Sequence, residues 1–198
     1  MKSAHTSLVR SAIFALIITI CTSFTAFAFA KQDKRKATKI QSATVAVGKN
    51  KAAVEVRYLN LPWGETTFGY IENGGNQYYS NRTWPFAHLK LGVKAKFNGS
   101  EITPGDYVMY ITPKSGDTPM TLSIASFKPN STGTFLQDGN VFTETPKDVV
   151  EVAKKAVTFE KGDTLINELK IDLASDKSDV AFKVHYGNRL MTEKLNLK

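Results

Sequence analysis

The feature that most constrains the fold is an alternation of apolar and polar side chains from His88 to Phe97. Successive side chains of a β-strand point to opposite faces, whereas a helix repeats about every 3.6 residues, so this alternation predicts a strand with one buried face. Asn98 and Gly99 follow directly, and both tolerate the positive φ of a tight hairpin turn. The apolar positions of the run are Leu89, Leu91, Val93, Ala95 and Phe97.

Shorter alternating runs recur along the chain, separated by clusters of Gly, Pro, Asn and Asp. They begin near Val54, Tyr107, Met120, Leu165, Val180 and Leu195. Short strands with such separators predict a single all-β domain, an antiparallel, jelly-roll-like β-sandwich that spans residues 42–198. The pattern of the segment 146–158 fits a helical face slightly better than a strand and leaves both open.

The N-terminus has the three parts of a secretory signal peptide. Lys2 and Arg10 precede an uncharged apolar run at 11–30, which ends in the small-x-small sequence Ala-Phe-Ala. We therefore expect residues 1–30 to be removed by cleavage between Ala30 and Lys31. The alternative is an uncleaved membrane anchor, since the run approaches the ~20 residues that span a bilayer.

The cysteine content limits the chemistry of the mature chain. Cys21 is the only cysteine and lies inside the predicted leader. Lipid modification of Cys21 is disfavoured because the bulky Ile20 precedes it, where a small residue is needed. After cleavage the chain would have no disulfide, no thiolate nucleophile and no cysteine-bound metal.

The positive charge is concentrated near the predicted cleavage site. Loss of Lys2 and Arg10 lowers the formal net charge from +8 to +6, with 24 basic and 18 acidic residues remaining. Most of this excess lies in a basic, polar lead-in at 31–41. Such a segment is typically solvated, so we expect membrane contact only through the leader or weakly through the lead-in. The rest of the chain shows no basic, aromatic face, and we expect no nucleic-acid binding.

Four stretches are similar to a known family. The strongest is 97–107 (FNGSEITPGDY), which resembles the pattern V-N-G-x-x-L-P-A-G-x-Y of DUF2911, a family of secreted or periplasmic bacterial proteins of unassigned function. The stretches 45–58, 63–69 (WGETTFG) and 148–187 add to the likeness. The resemblance implies an exported all-β domain and favours a strand near 149–152. The family's polar segment W-R-x-G-x-N-E is not reproduced at 79–85 (YSNRTWP), so no site residue is carried over.

Large amphipathic side chains are concentrated between residues 63 and 88. Aromatic faces bind C–H surfaces and cations, so this density predicts a ligand-binding site on the rim of the sandwich. The candidate residues are Trp63, Tyr70, Tyr79, Arg82, Trp84 and His88. The alternative is structural: Trp63 and Trp84 would cap the end of the core.

Catalytic and metal-binding patterns are weak in this sequence. His88 and His185 fall on predicted polar strand faces without the spacing of metal ligands. Glu65 and Asp106 lie in predicted turns, where acidic residues are usually only solvated. We therefore expect no cofactor or metal.

The sequence as a whole predicts an exported, non-enzymatic binding or structural module of the bacterial envelope, periplasmic or secreted. Its partner would be a small ligand, a glycan or an envelope protein. The alternative is a carbohydrate-active protein or hydrolase that uses the region 70–88.

Overall fold

Two antiparallel sheets make up most of the described chain. The computed structural model describes residues 38–48, 52–74, 83–127, 149–176 and 178–198. The predicted leader, the predicted cleavage site between Ala30 and Lys31, and most of the lead-in lie outside these ranges. The described residues belong to one unit, Thr38–Lys198.

Twelve strands and one helix are present in the described part. In chain order they are β1 (Ile40–Val47), β2 (Ala52–Leu59), α1 (Glu65–Asn73), β3 (Trp84–Leu91), β4 (Ala95–Phe97), β5 (Ser100–Ile102), β6 (Gly105–Thr112), β7 (Thr121–Phe127), β8 (Val149–Ala156), β9 (Glu160–Lys161), β10 (Lys170–Asp176), β11 (Asp179–Tyr186) and β12 (Arg189–Leu197). The first sheet has the order β1-β2-β3-β6-β7-β8. The second has the order β10-β11-β12-β4-β5, and β9 also pairs with β12. β1 thus begins two residues before the predicted start of the domain.

The core lies between the two sheets. Alternate residues of the first sheet, such as Val56, Leu89 and Leu122, are buried, as are Phe182 and Val184 of the second sheet. Burial of these side chains is the main favourable contribution to folding. The prediction of an all-β sandwich is confirmed.

The alternating run at 88–97 crosses from one sheet to the other. β3 ends at Leu91, and β4 begins at Ala95 in the second sheet. The prediction of one continuous strand is therefore wrong, because the chain bends at 92–94. The apolar side chains of the run were predicted to face the core, and this is largely correct. Leu91, Ala95 and Phe97 are buried, and Val93 is partly buried. Asn98 and Gly99 have positive φ values of 48° and 83° in the turn between β4 and β5.

Two other segments differ from the sequence interpretation. Residues 149–156 form β8, so the helical alternative for that stretch is wrong. Leu165, predicted to lie in a strand, is 60% exposed, and β10 begins only at Lys170. The later part of that alternation, with Ile171 and Leu173, lies in β10, whereas Leu165 belongs to the irregular chain that leads into it.

The helix α1 lies where the sequence predicted a turn. Glu65 is in its first turn, where a negative charge favours the helix dipole. Gly74 ends it in the left-handed conformation, with φ 62°, and donates its N–H to the carbonyl of Tyr70. Phe68 and Ile71 are buried, so the helix closes one end of the sandwich. Within the described ranges, no helix is both long enough and apolar enough to span a membrane.

Candidate functional site

The six predicted site residues do not form one site. Tyr79 and Arg82 lie outside the described residues. Trp63 and Trp84 belong to an aromatic cluster in and beside the core, whereas Tyr70 is half-buried on α1. His88 lies on the outer face of the first sheet.

The aromatic cluster fills the end of the sandwich below α1. The ring centroid of Phe68 lies 5.9 Å from that of Trp84 and 5.0 Å from that of Phe159, in edge-to-face arrangements. Trp84 is fully buried, so its prediction as a surface binding residue is wrong and the structural alternative holds. Its Nε1 is buried and has no hydrogen-bond partner among the described residues.

Trp63 covers the end of this cluster and remains partly buried. Its ring meets that of Tyr186 edge-on, with centroids 4.9 Å apart. The Tyr186 hydroxyl donates to the carbonyl of Pro62 at 2.7 Å, and burial raises the pKa of Tyr186 to about 12. These contacts assign both tryptophans mainly to packing.

His88 is a mostly buried histidine that contacts Asp106, with the charges of Arg57 and Glu55 farther away. Its Nε2 lies 3.1 Å from Oδ1 of Asp106, while its Nδ1 is buried without a hydrogen-bond partner among the described residues. Burial lowers the pKa of His88, and the negative charge of Asp106 opposes that shift. The side chain is only 16% exposed, so little of it is open to a ligand.

A small second core lies beside His88 on the outer face of the first sheet. Val108 and Ala125 are fully buried there, and Tyr110 is nearly so. The hydroxyls of Tyr110 and Ser123 both donate to Oε2 of Glu151, at 3.2 and 2.8 Å. Burial raises the pKa of Tyr110. Because the floor of this cluster is inaccessible, it is a packed layer and not a binding pocket.

An open cleft lies beside α1, at the same end of the sandwich as the aromatic cluster; we call it the helix-end cleft. Its volume is about 430 Å³, within the range of small-molecule sites. The floor is formed by core side chains that still reach the surface: Met120, Val157 and Phe159. The rim is formed by Glu72, Lys114, Asp117, Pro119 and Thr158. The cleft thus combines an apolar floor with a rim that carries both charges.

Backbone hydrogen bonds hold the walls of the cleft in place. Lys114 donates its N–H to the carbonyl of Ile71 at 3.1 Å, which ties the loop after β6 to α1. Ser115 and Thr118 exchange two hydrogen bonds, of 3.1 and 2.9 Å, across the turn. On the opposite wall, Val157 donates to the carbonyl of Met120 at 3.0 Å. The cleft is therefore largely preformed.

An ion pair fixes the rim residue Glu72. Arg189 donates from Nε to Oε1 at 2.7 Å and from Nη2 to Oε2 at 2.9 Å, a bidentate geometry. This contact raises the pKa of Arg189. Glu72 is consequently oriented by Arg189 of β12, and the rim also carries the exposed charges of Lys114 and Asp117.

The possible catalytic and metal-binding groups are dispersed. Glu65 is on α1, which packs on Trp84 at one end of β3, whereas Asp106 lies beside His88 toward the other end. They do not form a carboxylate pair. In the described part of the chain, no group of three or more His, Cys, Asp or Glu side chains could hold a metal ion.

The cleft residues were not identified from the sequence. The Pro and Gly residues around Lys114 and Asp117 indicate a loop, but nothing in the sequence indicates that α1 packs against it. Met120 and Phe159 carry no chemical signal, because the same apolar side chains serve the core. No family model, curated protein or solved structure matches this chain.

Proposed function

We propose that the protein is an exported, non-enzymatic binding module of the bacterial envelope and that it holds its ligand in the helix-end cleft. The observation that carries this proposal is the preformed cleft of about 430 Å³ with its apolar floor and charged rim. Concave sites with apolar walls and a few polar groups are the usual form of small-ligand sites.

The chemistry of the cleft favours a small amphipathic ligand. A small apolar group would contact the little exposed surface of Met120 and Phe159, and polar groups of the ligand would meet Lys114 and Asp117. A glycan needs an open aromatic face for stacking, and Phe159 is only 5% exposed. A small molecule or the end of an apolar peptide therefore fits better than a sugar chain.

The export part of the proposal is supported by sequence. Residues 1–30 have the charge, apolar run and small-residue exit of a signal peptide. The resemblance to DUF2911 supports the same periplasmic or secreted location.

A hydrolase or carbohydrate-active protein that uses the region 70–88 is less well supported. It would draw on the whole of this segment, of which residues 75–82 lie outside the described ranges. Tyr70 is on the helix that covers the aromatic core, while His88 is on the outer face of the first sheet, with Asp106 as its ionic partner. Nothing in the described contacts joins them.

A ligand screen by thermal shift tests the proposal. The exported protein is heated with single amino acids, apolar dipeptides, medium-chain fatty acids and oligosaccharides. A compound that binds the native state raises the melting temperature. We expect the apolar dipeptides or fatty acids to raise it more than the oligosaccharides.

Two variants then place the binding site. Thr158→Trp adds a bulky side chain to the rim of the cleft, and Thr44→Trp makes the same change on an exposed position of β1. We expect Thr158→Trp to weaken binding at least tenfold and Thr44→Trp to leave it unchanged. Equal affinities for both variants, or no stabilising compound of any class, would count against the proposal.

A further inference from the structure

The strand β12 has a stretch without a partner on one of its sides. On that side it pairs with β9 at Arg189 and Leu190, and with β4 at Asn196 and Leu197. No described strand pairs with residues 191–195 there. Its other side is fully paired with β11.

Hydrogen bonds at the ends of β12 show which backbone groups face this gap. Lys198 donates its N–H to the carbonyl of Lys94, on the β4 side, whereas Leu197 donates to Ser178, on the β11 side. At the other end, the carbonyl of Asn188 accepts from Gly162, next to β9. The backbone N–H and C=O groups of the even-numbered residues of β12 therefore point into the gap.

By this alternation, Thr192 and Lys194 direct their N–H and C=O groups into the gap. Together they offer two donors and two acceptors, spaced about 7 Å apart as in a strand. Open strand edges of this kind are templates for pairing with another extended segment.

A cavity of about 370 Å³ lies at this position; we call it the β12 gap. It is lined by Phe97, Asn98, Lys155, Thr192, Glu193, Lys194 and Asn196. On the core side, Nζ of Lys155 lies 2.5 Å from Oε2 of Glu193, whose side chain is only 11% exposed. This ion pair occupies the space below the gap, so an inserted segment can place only a small side chain there.

The outer face of the gap is basic. Lys194 is exposed there, and Lys183 lies opposite Thr192 on β11, with Asp172 of β10 on its far side from the gap. Within the described ranges neither lysine takes part in an ion pair. Acidic side chains on an inserted strand would point to this same face, because residues that pair across a sheet share a face.

We propose that the β12 gap binds a short extended segment of an acidic polypeptide by strand addition. About three residues of the partner pair with Thr192–Lys194, with acidic side chains outward and a small side chain over the Lys155–Glu193 pair. The affinity comes from main-chain hydrogen bonds and the selectivity from the lysines. This site is separate from the helix-end cleft.

Amide exchange in the free protein tests the geometry. We expect the N–H groups of Thr192 and Lys194 to exchange at least tenfold faster than that of Glu193, which faces β11. Equal protection of all three amides contradicts the proposed edge. Protection of Thr192 and Lys194 that rises with protein concentration assigns the gap to a second copy and also contradicts the proposal.

A defined peptide tests the binding. The probe is acetyl-Gly-Asp-Ser-Asp-Gly-amide, and its control is the same peptide with N-methyl groups on both Asp residues. We expect the probe to shift the amide signals of Thr192 and Lys194 with a Kd of about 1 mM or tighter, and the N-methylated control to lose most of this binding. No shift with the probe, or equal shifts with both peptides, overturns the proposal.

Charge reversal tests the selectivity. Lys194→Glu should weaken binding of the probe at least fivefold. Lys90→Glu, on the outer face of the other sheet, changes the net charge equally and should leave binding unchanged. Equal weakening by both variants would show a general charge effect and would contradict a site at β12.

Discussion

Trp84 and His88 lie four residues apart on β3, yet Trp84 points into the core and His88 points away from it. Regular alternation would place both on the same face. The pairing with β6 shifts between Pro85 and Ala87, so Phe86 is an extra residue that forms a bulge. The bulge moves the indole of Trp84 into the aromatic cluster and leaves His88 beside Asp106.

The burial of Trp84 predicts its fluorescence. The chain has two tryptophans, so Trp63→Phe leaves Trp84 as the only indole. We expect its emission to be blue-shifted in the folded protein and resistant to quenching by iodide. The matched variant Trp84→Phe retains the partly exposed Trp63, which should be quenched more strongly. Equal quenching of the two variants would contradict the core position of Trp84.

The contact between Trp63 and Gly187 predicts a large stability effect. Gly187 has φ 64°, and a Cβ there would lie 2.2 Å from the Trp63 ring. Gly187→Ala should lower the free energy of unfolding by about 3 to 5 kcal/mol, from the left-handed backbone and the overpacking together. Gly116→Ala is the control, since Gly116 has φ 55° with nothing within 4 Å. Gly116→Ala should lower the free energy of unfolding by only about 1 to 2 kcal/mol. Urea denaturation of both variants measures the difference.

Burial of His88 predicts a stability that depends on pH. Its folded pKa is below the ordinary value of 6.5, so the unfolded chain binds more protons between those two values. The free energy of unfolding should therefore decrease as the pH is lowered from about 7.5 to about 5.5. His88→Gln should remove part of this decrease, whereas His185→Gln should retain it. Asp106→Asn should enlarge it, because the opposing negative charge is lost.

The ion pair between Glu72 and Arg189 predicts measurable coupling. Both side chains are less than 20% exposed and the geometry is bidentate. A double-mutant cycle with Glu72→Gln and Arg189→Gln should give a coupling energy of about 1 to 2 kcal/mol. The exposed pair Lys170–Asp172 is the control and should give less than about 0.5 kcal/mol. Similar coupling energies for the two pairs would mean that burial does not strengthen the Glu72–Arg189 pair.

Cleavage of the leader predicts the mass of the mature protein. Intact-mass analysis of exported material should give a chain that begins at Lys31. A species that retains residues 11–30, or one that carries lipid on Cys21, would contradict the predicted cleavage.

Much of the fold could be predicted because alternation is a local signal. The runs at Val54, Tyr107 and Val180 each lie in a strand whose apolar side is buried. The bend at 92–94 was missed because Gly92 and Lys94 continue the polar half of the pattern. The helix α1 was missed because it is short, and only Phe68 and Ile71 are fully buried in it.

The candidate site was less predictable, for two physical reasons. Aromatic side chains serve cores as well as surfaces, and only the bulge at Phe86 decides that Trp84 is buried. The helix-end cleft, in turn, joins Glu72 to Lys114 and Phe159, which are distant in sequence. Such a site depends on how elements pack, and alternation along one strand contains no information about that packing.

The pairing of β12 has a consequence for the order of folding. β4 pairs with β12 about 100 residues later in the chain, and β9 and β11 pair with the same strand. A chain that emerges N-terminus first from the ribosome can form the β1–β2 and β6–β7 hairpins early. The second sheet cannot assemble until β12 has emerged, and such non-local pairing is slow.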